Sequence, residues 1–302
     1  MAEECGIVRK MQRRRDMEDL IAKIRVIQLT TIDSKIAEYI LDHLNTIGLF
    51  TSTALADAIG VSDTSIIRFV RKLGFKGYAE FRNEMASRMA SYYDNSQDNS
   101  LLPGEKYART KEQLKNGNLI ADVVNYILYN LEKSFAKMDE ATLENVVRII
   151  MQSDRKYIAG FRGTASCAQY MANRLVLLVP NVMAILHADA QAVETMIDIR
   201  EGDCLILYSF PRYSEINYLL MDIAHKNGAK IILITDRLTS PLASQADVVL
   251  VALVAGLGFT NSYVAPMSIS EVILLAISSQ NNEQCSERLH YMDRIMKEHR
   301  LY

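Results

Sequence analysis

The sequence LADAIGVSDTSIIRFVRKLGF, residues 55–75, predicts two short amphipathic helices joined by a glycine turn. Leu55 and Ala56 share one face of the first helix. Gly60 permits the left-handed backbone that a tight turn between helices needs, and Ser62 can cap a second helix that begins near Asp63. This arrangement is typical of a helix-turn-helix, in which the second helix enters the major groove of DNA.

The second helix has an apolar face and a polar face. Its apolar residues recur at spacings of three and four, which predicts that they pack inward; they are Ile66, Phe69, Val70 and Leu73. The side chains outside that face are the candidate DNA contacts. The predicted DNA-binding residues are Ser62, Asp63, Thr64, Ser65, Ile67, Arg68, Arg71, Lys72 and Lys76. Arg68 is the best candidate for specificity, because a guanidinium can pair bidentately with guanine. The alternative is a solvated surface helix.

Positive charge is concentrated around this helix. Between residues 62 and 90, six lysines and arginines face three acidic residues, a net charge of six minus three, or plus three. The whole chain has a net charge of −2, so attraction to phosphates depends on this local patch. The basic run Arg13, Arg14 and Arg15 is either an additional phosphate-contacting arm or a solvated charge run.

Composition excludes several other classes of protein. With 302 residues, 49% of them hydrophobic and 23% charged, the chain is expected to be a soluble protein of two domains. Its four scattered cysteines form no CxxC pair and argue against a zinc ribbon or a disulfide scaffold, and its five dispersed histidines predict no metal site. We expect no cofactor, no signal peptide and no membrane anchor, and a cytoplasmic location.

The chain divides into four predicted regions. Residues 16–92 form an all-α helix-turn-helix domain, which opens with a helix over 16–49 capped by Asp33 or Ser34. Residues 93–118 have the composition of a linker, 119–285 form a doubly wound α/β domain, and 286–302 a helical tail. Apolar runs predict a parallel five-stranded sheet with strands at 156–159, 182–186, 204–208, 230–235 and 247–253.

Two loops that follow strands of this sheet are suited to an anion. GFRGTASCAQYMANRL, residues 160–175, and SFPRYSEINYLL, residues 209–220, each place hydroxyls and an arginine at the start of a helix. The predicted ligand-binding residues are Arg162, Gly163, Thr164, Ser166, Ser209, Arg212, Tyr213 and Ser214. Neither GxGxxG nor the lysine of a P-loop is present, which excludes nucleotide hydrolysis. The alternative for the first loop is a strand-to-helix turn that uses glycine for its geometry alone.

The stretches LADAIGVSDTSIIRFVRKLGFKGYAEFR, GFRGTAS, SFPRYS and TDRLTSPLASQADVVL together resemble the RpiR-type transcriptional regulators. The resemblance implies an N-terminal helix-turn-helix joined to a C-terminal sugar isomerase (SIS) domain, which binds a phosphosugar without turning it over. SIS domains commonly carry Ser-x-Ser-Gly-x-Thr after the third strand, whereas this sequence has Pro211 and Arg212 at the central positions. Arg162 also replaces a small residue. The expected ligand is therefore an anion: a phosphosugar, a sugar acid or another small acid.

The resulting hypothesis is a regulator of carbohydrate or related carbon metabolism, with double-stranded operator DNA, an anionic effector and a second copy of itself as partners. It would be a homodimer or tetramer, and not an enzyme. The apolar segment 259–277 fits either a subunit-interface helix or a core helix. The alternative function is a sugar-phosphate isomerase with an appended helical domain, for which Glu194 or His187 would be the base.

Overall fold

A computed structural model of the chain describes residues 29–43, 47–93, 102–113, 119–280 and 283–300, together with Ile24 and Ile27. The chain divides into two compact units, residues 1–95 and residues 96–302, which we call the first unit and the second unit. The basic run at residues 13–15 and the beginning of the predicted helix over 16–49 lie outside the described residues.

The described part of the first unit is helical. It comprises α1 (Thr31–Asp42), a 3-10 turn (Ile47–Leu49), α2 (Ser52–Ile59), α3 (Asp63–Lys72) and α4 (Tyr78–Tyr93). The predicted cap of α1 at Asp33 or Ser34 is wrong, because Thr30 caps this helix. The Thr30 hydroxyl accepts from the Asp33 amide at 3.2 Å, and the Asp33 carboxylate accepts from the Thr30 amide at 3.0 Å. This reciprocal pair satisfies two backbone donors that the helix start leaves open.

The helix-turn-helix predicted from residues 55–75 is confirmed. Gly60 ends α2 in the left-handed conformation, with φ 75°, and Ser62 caps α3 by accepting from the Ser65 amide. Ile66, Phe69 and Val70 are fully buried against Leu55 of α2. The apolar face of α3 is therefore used for packing, and its other residues are left at the surface.

The second unit begins with three helices and continues as an alternation of strands and helices. Its elements are α5 (Pro103–Gln113), α6 (Leu119–Phe135), α7 (Glu140–Gln152), β1 (Lys156–Gly160), α8 (Ala165–Leu178), β2 (Val182–Ile185), α9 (Ala190–Thr195), β3 (Cys204–Tyr208), α10 (Glu215–Lys226), β4 (Lys230–Thr235), β5 (Val248–Val251), α11 (Val264–Ser279) and α12 (Glu283–Glu298). Helix α5 lies within the predicted linker 93–118. It begins at Pro103, which lacks an amide hydrogen, and Glu105 accepts from the Leu102 amide at 2.9 Å.

The predicted parallel five-stranded sheet is confirmed, with strand order β2-β1-β3-β4-β5. Alternate residues of each strand face opposite sides. Ile206 and Tyr208 pack with α7, α8 and α11, whereas Leu205 and Leu207 pack with α9 and α10. Helices therefore cover both faces, and the loops after the strands collect at the carboxyl edge of the sheet, where doubly wound folds bind ligands.

Helix α11 contains most of the apolar segment 259–277. Ile269, Ile273 and Ile277 are fully buried on the side of the sheet that α7 and α8 also cover. These three residues therefore have a core role, whereas Leu275 on the same helix is exposed. None of the helices in the described ranges has the length and apolar character to cross a membrane.

Candidate functional site

Helix α3 presents a row of polar side chains at the surface of the first unit. Thr64, Arg68 and Arg71 are exposed on it, and Ser62 and Lys76 are exposed beside it. The Arg71 side chain donates to the carbonyl of Lys76 at 3.3 Å, which ties the end of the helix to the turn that follows. Arg68, the candidate for base recognition, is thus exposed together with four other predicted DNA contacts.

Some of the predicted DNA contacts contact or face other residues of the first unit. The hydroxyls of Ser62 and Ser65 lie 2.8 Å apart, and Ile67 is partly buried against the core. One carboxylate oxygen of Asp63 is buried, with no hydrogen-bond partner among the described residues. Burial raises the pKa of the neighbouring Tyr78 to about 12, and the negative charge of Asp63 adds to this shift. One oxygen of the Asp63 carboxylate therefore faces the interior of the first unit.

Lys72 is joined to the buried carboxylate of Asp33. Its Nζ lies 2.5 Å from Asp33 Oδ2, and the Asp33 side chain is fully buried. Burial alone would raise the pKa of Asp33, but the hydrogen bonds from Lys72 and Thr30 outweigh it and lower the pKa. The contact ties the end of α3 to the start of α1, so Lys72 has a structural role in the first unit.

Acid is expected to weaken the first unit through Asp33. Because its folded pKa is lowered, the stabilisation is fully present above the ordinary pKa of an aspartate and is lost as the pH falls through the folded value. We expect Asp33→Asn to destabilise the first unit by about 1 kcal/mol at pH 7, a figure reduced for the part-exposed Lys72. Hydrogen exchange of first-unit peptides across pH 3–7 measures this.

The control for this prediction is Asp57→Asn, which removes a carboxylate from an exposed position on α2. The difference between wild type and Asp33→Asn should shrink toward low pH, whereas the Asp57→Asn curve should follow that of the wild type. A difference that stayed constant over the whole pH range would contradict a role for the ionised Asp33 carboxylate.

The two loops predicted to bind an anion follow adjacent strands. Gly160 at the end of β1 is in register with Tyr208 at the end of β3. The loops that continue from these positions, residues 161–164 and 209–214, carry Arg162 and Arg212, and we call them the arginine loops. Both arginines are exposed. The carboxyl edge of the sheet therefore brings two positive charges to the same end of neighbouring strands.

Both arginines have a left-handed backbone. Arg162 has φ 56° and Arg212 has φ 71°, a region that residues other than glycine rarely adopt. Each such residue costs on the order of 1 kcal/mol or more and persists only where the surrounding structure enforces it. Backbone strain of this kind concentrates at binding sites. Arg162 and Arg212 therefore share this uncommon backbone conformation at the ends of adjacent strands.

Most of the hydroxyls predicted to bind the ligand are used within the protein. Thr164 is buried, accepts from the Phe161 amide at 2.8 Å and donates to the Phe161 carbonyl at 2.9 Å. Ser166 donates to the Gly163 carbonyl at 2.8 Å. Ser214 begins α10, but its side chain does not cap that helix. Of these three hydroxyls, that of Ser214 is the best placed to contact a ligand.

The third-strand loop is held by residues further along the chain. The buried Ser209 hydroxyl accepts from the Asn217 side chain at 2.6 Å. Tyr213 donates to Asp236 Oδ1 at 2.6 Å, and Arg237 lies 3.6 Å from the other oxygen of the same carboxylate. Burial raises the pKa of Tyr213, and the hydrogen bond to Asp236 raises it further. Asn217 and Asp236 thus hold the loop in place through hydrogen bonds.

Tyr263 is a residue of this site that the sequence reasoning missed. A Cβ placed on Gly163 would lie 2.7 Å from the Tyr263 ring. The centroids of the Tyr263 and Phe210 rings lie 6.0 Å apart. Burial raises the pKa of Tyr263, and the charges of Arg212 and Arg162 oppose that increase. Tyr263 therefore lies against both arginine loops. Only its position before an apolar helix could have signalled this from sequence.

The residues that an isomerase would use as a base are at the surface. His187 and Glu194 are exposed in the region after β2, and Asp189 accepts from the Gln191 amide at 3.1 Å as the cap of α9. A general base acts from a position within hydrogen-bond reach of its substrate.

Comparisons with known proteins agree with this architecture. Residues 19–92 match the helix-turn-helix domain of the rpiR family, and residues 149–276 match the SIS domain. An uncharacterized HTH-type transcriptional regulator from Haemophilus influenzae is 27% identical over 223 residues, which cover 74% of this chain and 75% of that protein. A second from Providencia stuartii is 26% identical over 220 residues, 72% of this chain and 74% of that one.

Two solved structures share the fold. The sugar isomerase domain of an RpiR transcription factor from Sphaerobacter thermophilus matches with a TM-score of 0.57 and 24% identity, covering 59% of this chain and 99% of that one. The Vibrio vulnificus NanR protein matches with a TM-score of 0.51 and 18% identity, covering 92% of this chain and 97% of that one. This chain therefore carries a helix-turn-helix domain of the rpiR family followed by a SIS domain.

Proposed function

We propose that this regulator reads operator DNA of carbohydrate or related carbon metabolism and is controlled by an anionic small molecule. The observation that carries the ligand half of the proposal is the pair of exposed arginines, Arg162 and Arg212, at the ends of adjacent strands with strained backbones. Guanidinium groups bind phosphate and carboxylate strongly, because two parallel hydrogen bonds match the geometry of those anions.

The DNA half of the proposal uses the exposed residues of α3 and its surroundings. We propose that Arg68 and Thr64 contact base edges and that Arg71 and Lys76 contact phosphates, and the exposure of all four side chains supports this. Ser62, Ser65 and Ile67 stay proposed contacts at the start of the helix. Lys72 is already paired with Asp33, and one carboxylate oxygen of Asp63 is buried, so we expect both residues to contribute less to DNA affinity.

A phosphosugar or a sugar acid suits the arginine loops. The NanR protein was solved with ManNAc-6P bound. In the present chain Pro211 offers no amide hydrogen, and Arg212 occupies a left-handed position. We therefore propose that the anion is bound by the guanidinium group and not by backbone amides. Hydroxyls of a sugar would be bound by the remaining polar side chains, with Ser214 the first candidate.

We also propose that the protein acts as a homodimer, or as a tetramer of two dimers. A dimer places two recognition helices on half-sites about one DNA turn apart, so a pseudo-palindromic operator is expected. Helix α6 supports this proposal, since it carries a stripe of exposed apolar residues at helical spacing. They are Ile120, Val123, Val124 and Leu128.

The ligand is proposed to be bound without being consumed, in a cytoplasmic protein. An effector needs only differential affinity for two states of the regulator, and a hundredfold preference corresponds to about 2.7 kcal/mol. The SIS fold also serves isomerases, and turnover of a sugar phosphate by the purified protein would favour that alternative. The exposed positions of His187 and Glu194 give it no support.

A ligand screen with an arginine variant tests the proposed anion site. Phosphosugars, sugar acids and small carboxylates are screened by thermal shift, and the affinity of any that stabilise the protein is then measured. We expect Arg212→Ala to weaken binding about tenfold, because a charge-assisted pair of hydrogen bonds is lost. The same compounds are followed for chemical change, and none is expected.

The matched control is Arg200→Ala. Arg200 is also exposed in the second unit, but it precedes β3 and therefore lies at the opposite edge of the sheet. Its removal changes the net charge equally and should leave ligand affinity unchanged. Equal weakening by both substitutions would mean that general charge, and not a site at the arginine loops, attracts the anion.

A further inference from the structure

The segment between β5 and α11, residues 252–263, reaches the arginine loops at its end. Tyr263 fills the space beside Gly163, where any side chain larger than hydrogen would meet its ring, and it also faces Phe210. Gly163 follows Arg162 directly, and Phe210 is two residues before Arg212. A change in the separation of the two loops would therefore displace Tyr263.

The same segment holds helix α5. Lys106 donates from Nζ to Asn261 Oδ1 at 2.7 Å, and these two residues are only 5% and 6% exposed. The Thr110 hydroxyl, one turn further along α5, donates to the Leu257 carbonyl. A buried ammonium group is unfavourable unless it is hydrogen-bonded, so the positions of Lys106 and Asn261 depend on each other.

The first half of the segment is fixed to α6. The Leu253 amide donates to the Ser134 hydroxyl at 2.8 Å, and the Asn130 side chain donates to the Ala255 carbonyl at 2.6 Å. The part that follows, residues 256–263, contains Leu257 and Asn261, which hold α5, and Tyr263, which contacts the arginine loops. Asn261 and Tyr263 are two positions apart, so a single residue separates the contact with α5 from the contact with the arginine loops.

We propose that residues 256–263 transmit ligand occupancy from the arginine loops to helix α5. The inference rests on the proposed function, because an anion has to bind between Arg162 and Arg212 and alter their spacing. Tyr263 then shifts, Asn261 follows, and the hold on Lys106 changes. Helix α5 is the first described helix after the first unit in the chain, so it is the element through which the effect would pass toward the DNA-binding domain.

Hydrogen exchange of the full-length protein tests this coupling, with inorganic phosphate, glucose 6-phosphate and gluconate as probes at millimolar concentration. A probe counts as bound at this site if it stabilises the wild type and if Arg212→Ala needs about tenfold more of it for the same stabilisation. On binding, exchange rates of peptides spanning residues 103–113 and 256–263 should change by about twofold or more. In Lys106→Met the response of 103–113 should be lost, while probe affinity and the response of 160–166 remain.

Three further variants complete the experiment. Asn261→Asp keeps an acceptor for Lys106 and should retain the response, and Lys226→Met changes an exposed lysine of α10 and should behave as wild type. If Lys106→Met does not fold, Thr110→Val removes only hydroxyl hydrogen bonds and should reduce the response.

Two outcomes would overturn the coupling alone. They are a bound probe that leaves the exchange rates of residues 103–113 unchanged, and a response of these residues that survives in Lys106→Met. If none of the three probes shows Arg212-dependent binding, the proposed anion site fails, and the coupling fails with it.

Discussion

The Phe69→Ala variant is expected to lose the fold of the first unit while the second unit keeps its structure. Phe69 is fully buried among residues of α1, α2 and α3, and among the described residues it is one of the largest fully buried side chains. Truncating a buried phenylalanine costs about 3–5 kcal/mol, and a small domain has only about 5–15 kcal/mol of stability in total. DNA binding should be lost with the fold.

Hydrogen exchange resolved by peptide separates the two units in this experiment. Protection of backbone amides should disappear across residues 31–93 and persist in β1, β3 and β4. The described residues that pack with these strands in the two sheet-covering clusters belong to the second unit. Thr64→Ala, on the exposed face of the same helix, is the control and should retain protection everywhere. Loss of protection in both units together would show that they fold as a single cooperative body.

Arg68→Ala is expected to weaken binding to the operator by about 1–3 kcal/mol, or roughly five- to 150-fold, without unfolding the first unit. Arg68 is exposed on α3, so its removal leaves no cavity in the core. An operator is first selected from random DNA with the wild-type protein, and affinities are then measured by fluorescence anisotropy at fixed salt. Specificity should relax at one base pair in each half-site.

Lys35→Ala provides the comparison for Arg68→Ala. Lys35 is exposed on α1 and carries the same charge, but it lies outside the recognition helix. Its loss should reduce affinity slightly and equally for all sequences, since any effect acts through the general field. If Arg68→Ala also reduced affinity equally for all sequences, Arg68 would be a phosphate contact, and base recognition would belong to other residues of α3.

The parts of the structure that could be predicted from sequence are those fixed by neighbouring residues. The spacing of Ile66, Phe69 and Val70 determines the buried face of α3, and Gly60 and Ser62 determine where the turn ends and the helix begins. The continuous apolar strands CLILY and KIILIT likewise predict a sheet covered on both sides. In each case the signal lies within a few positions of the element that it describes.

The features that sequence could not predict depend on contacts between distant positions. Asp33 and Lys72 are 39 residues apart, and Lys106 and Asn261 are 155 residues apart. Thr164 was predicted as a ligand contact because hydroxyls suit anions, but its position in the loop lets the backbone of Phe161 use it first. Tyr263 does not belong to a recognisable motif, and it lies beside Gly163 only in the folded domain, since the two residues are far apart in sequence.

The left-handed backbones of Arg162 and Arg212 lower the stability of the second unit. At both positions glycine would relieve strain, because it adopts a positive φ without steric cost, yet glycine would also remove the charge. Under the proposed function, the two arginines therefore trade stability of the second unit for the positive charge that binds the effector.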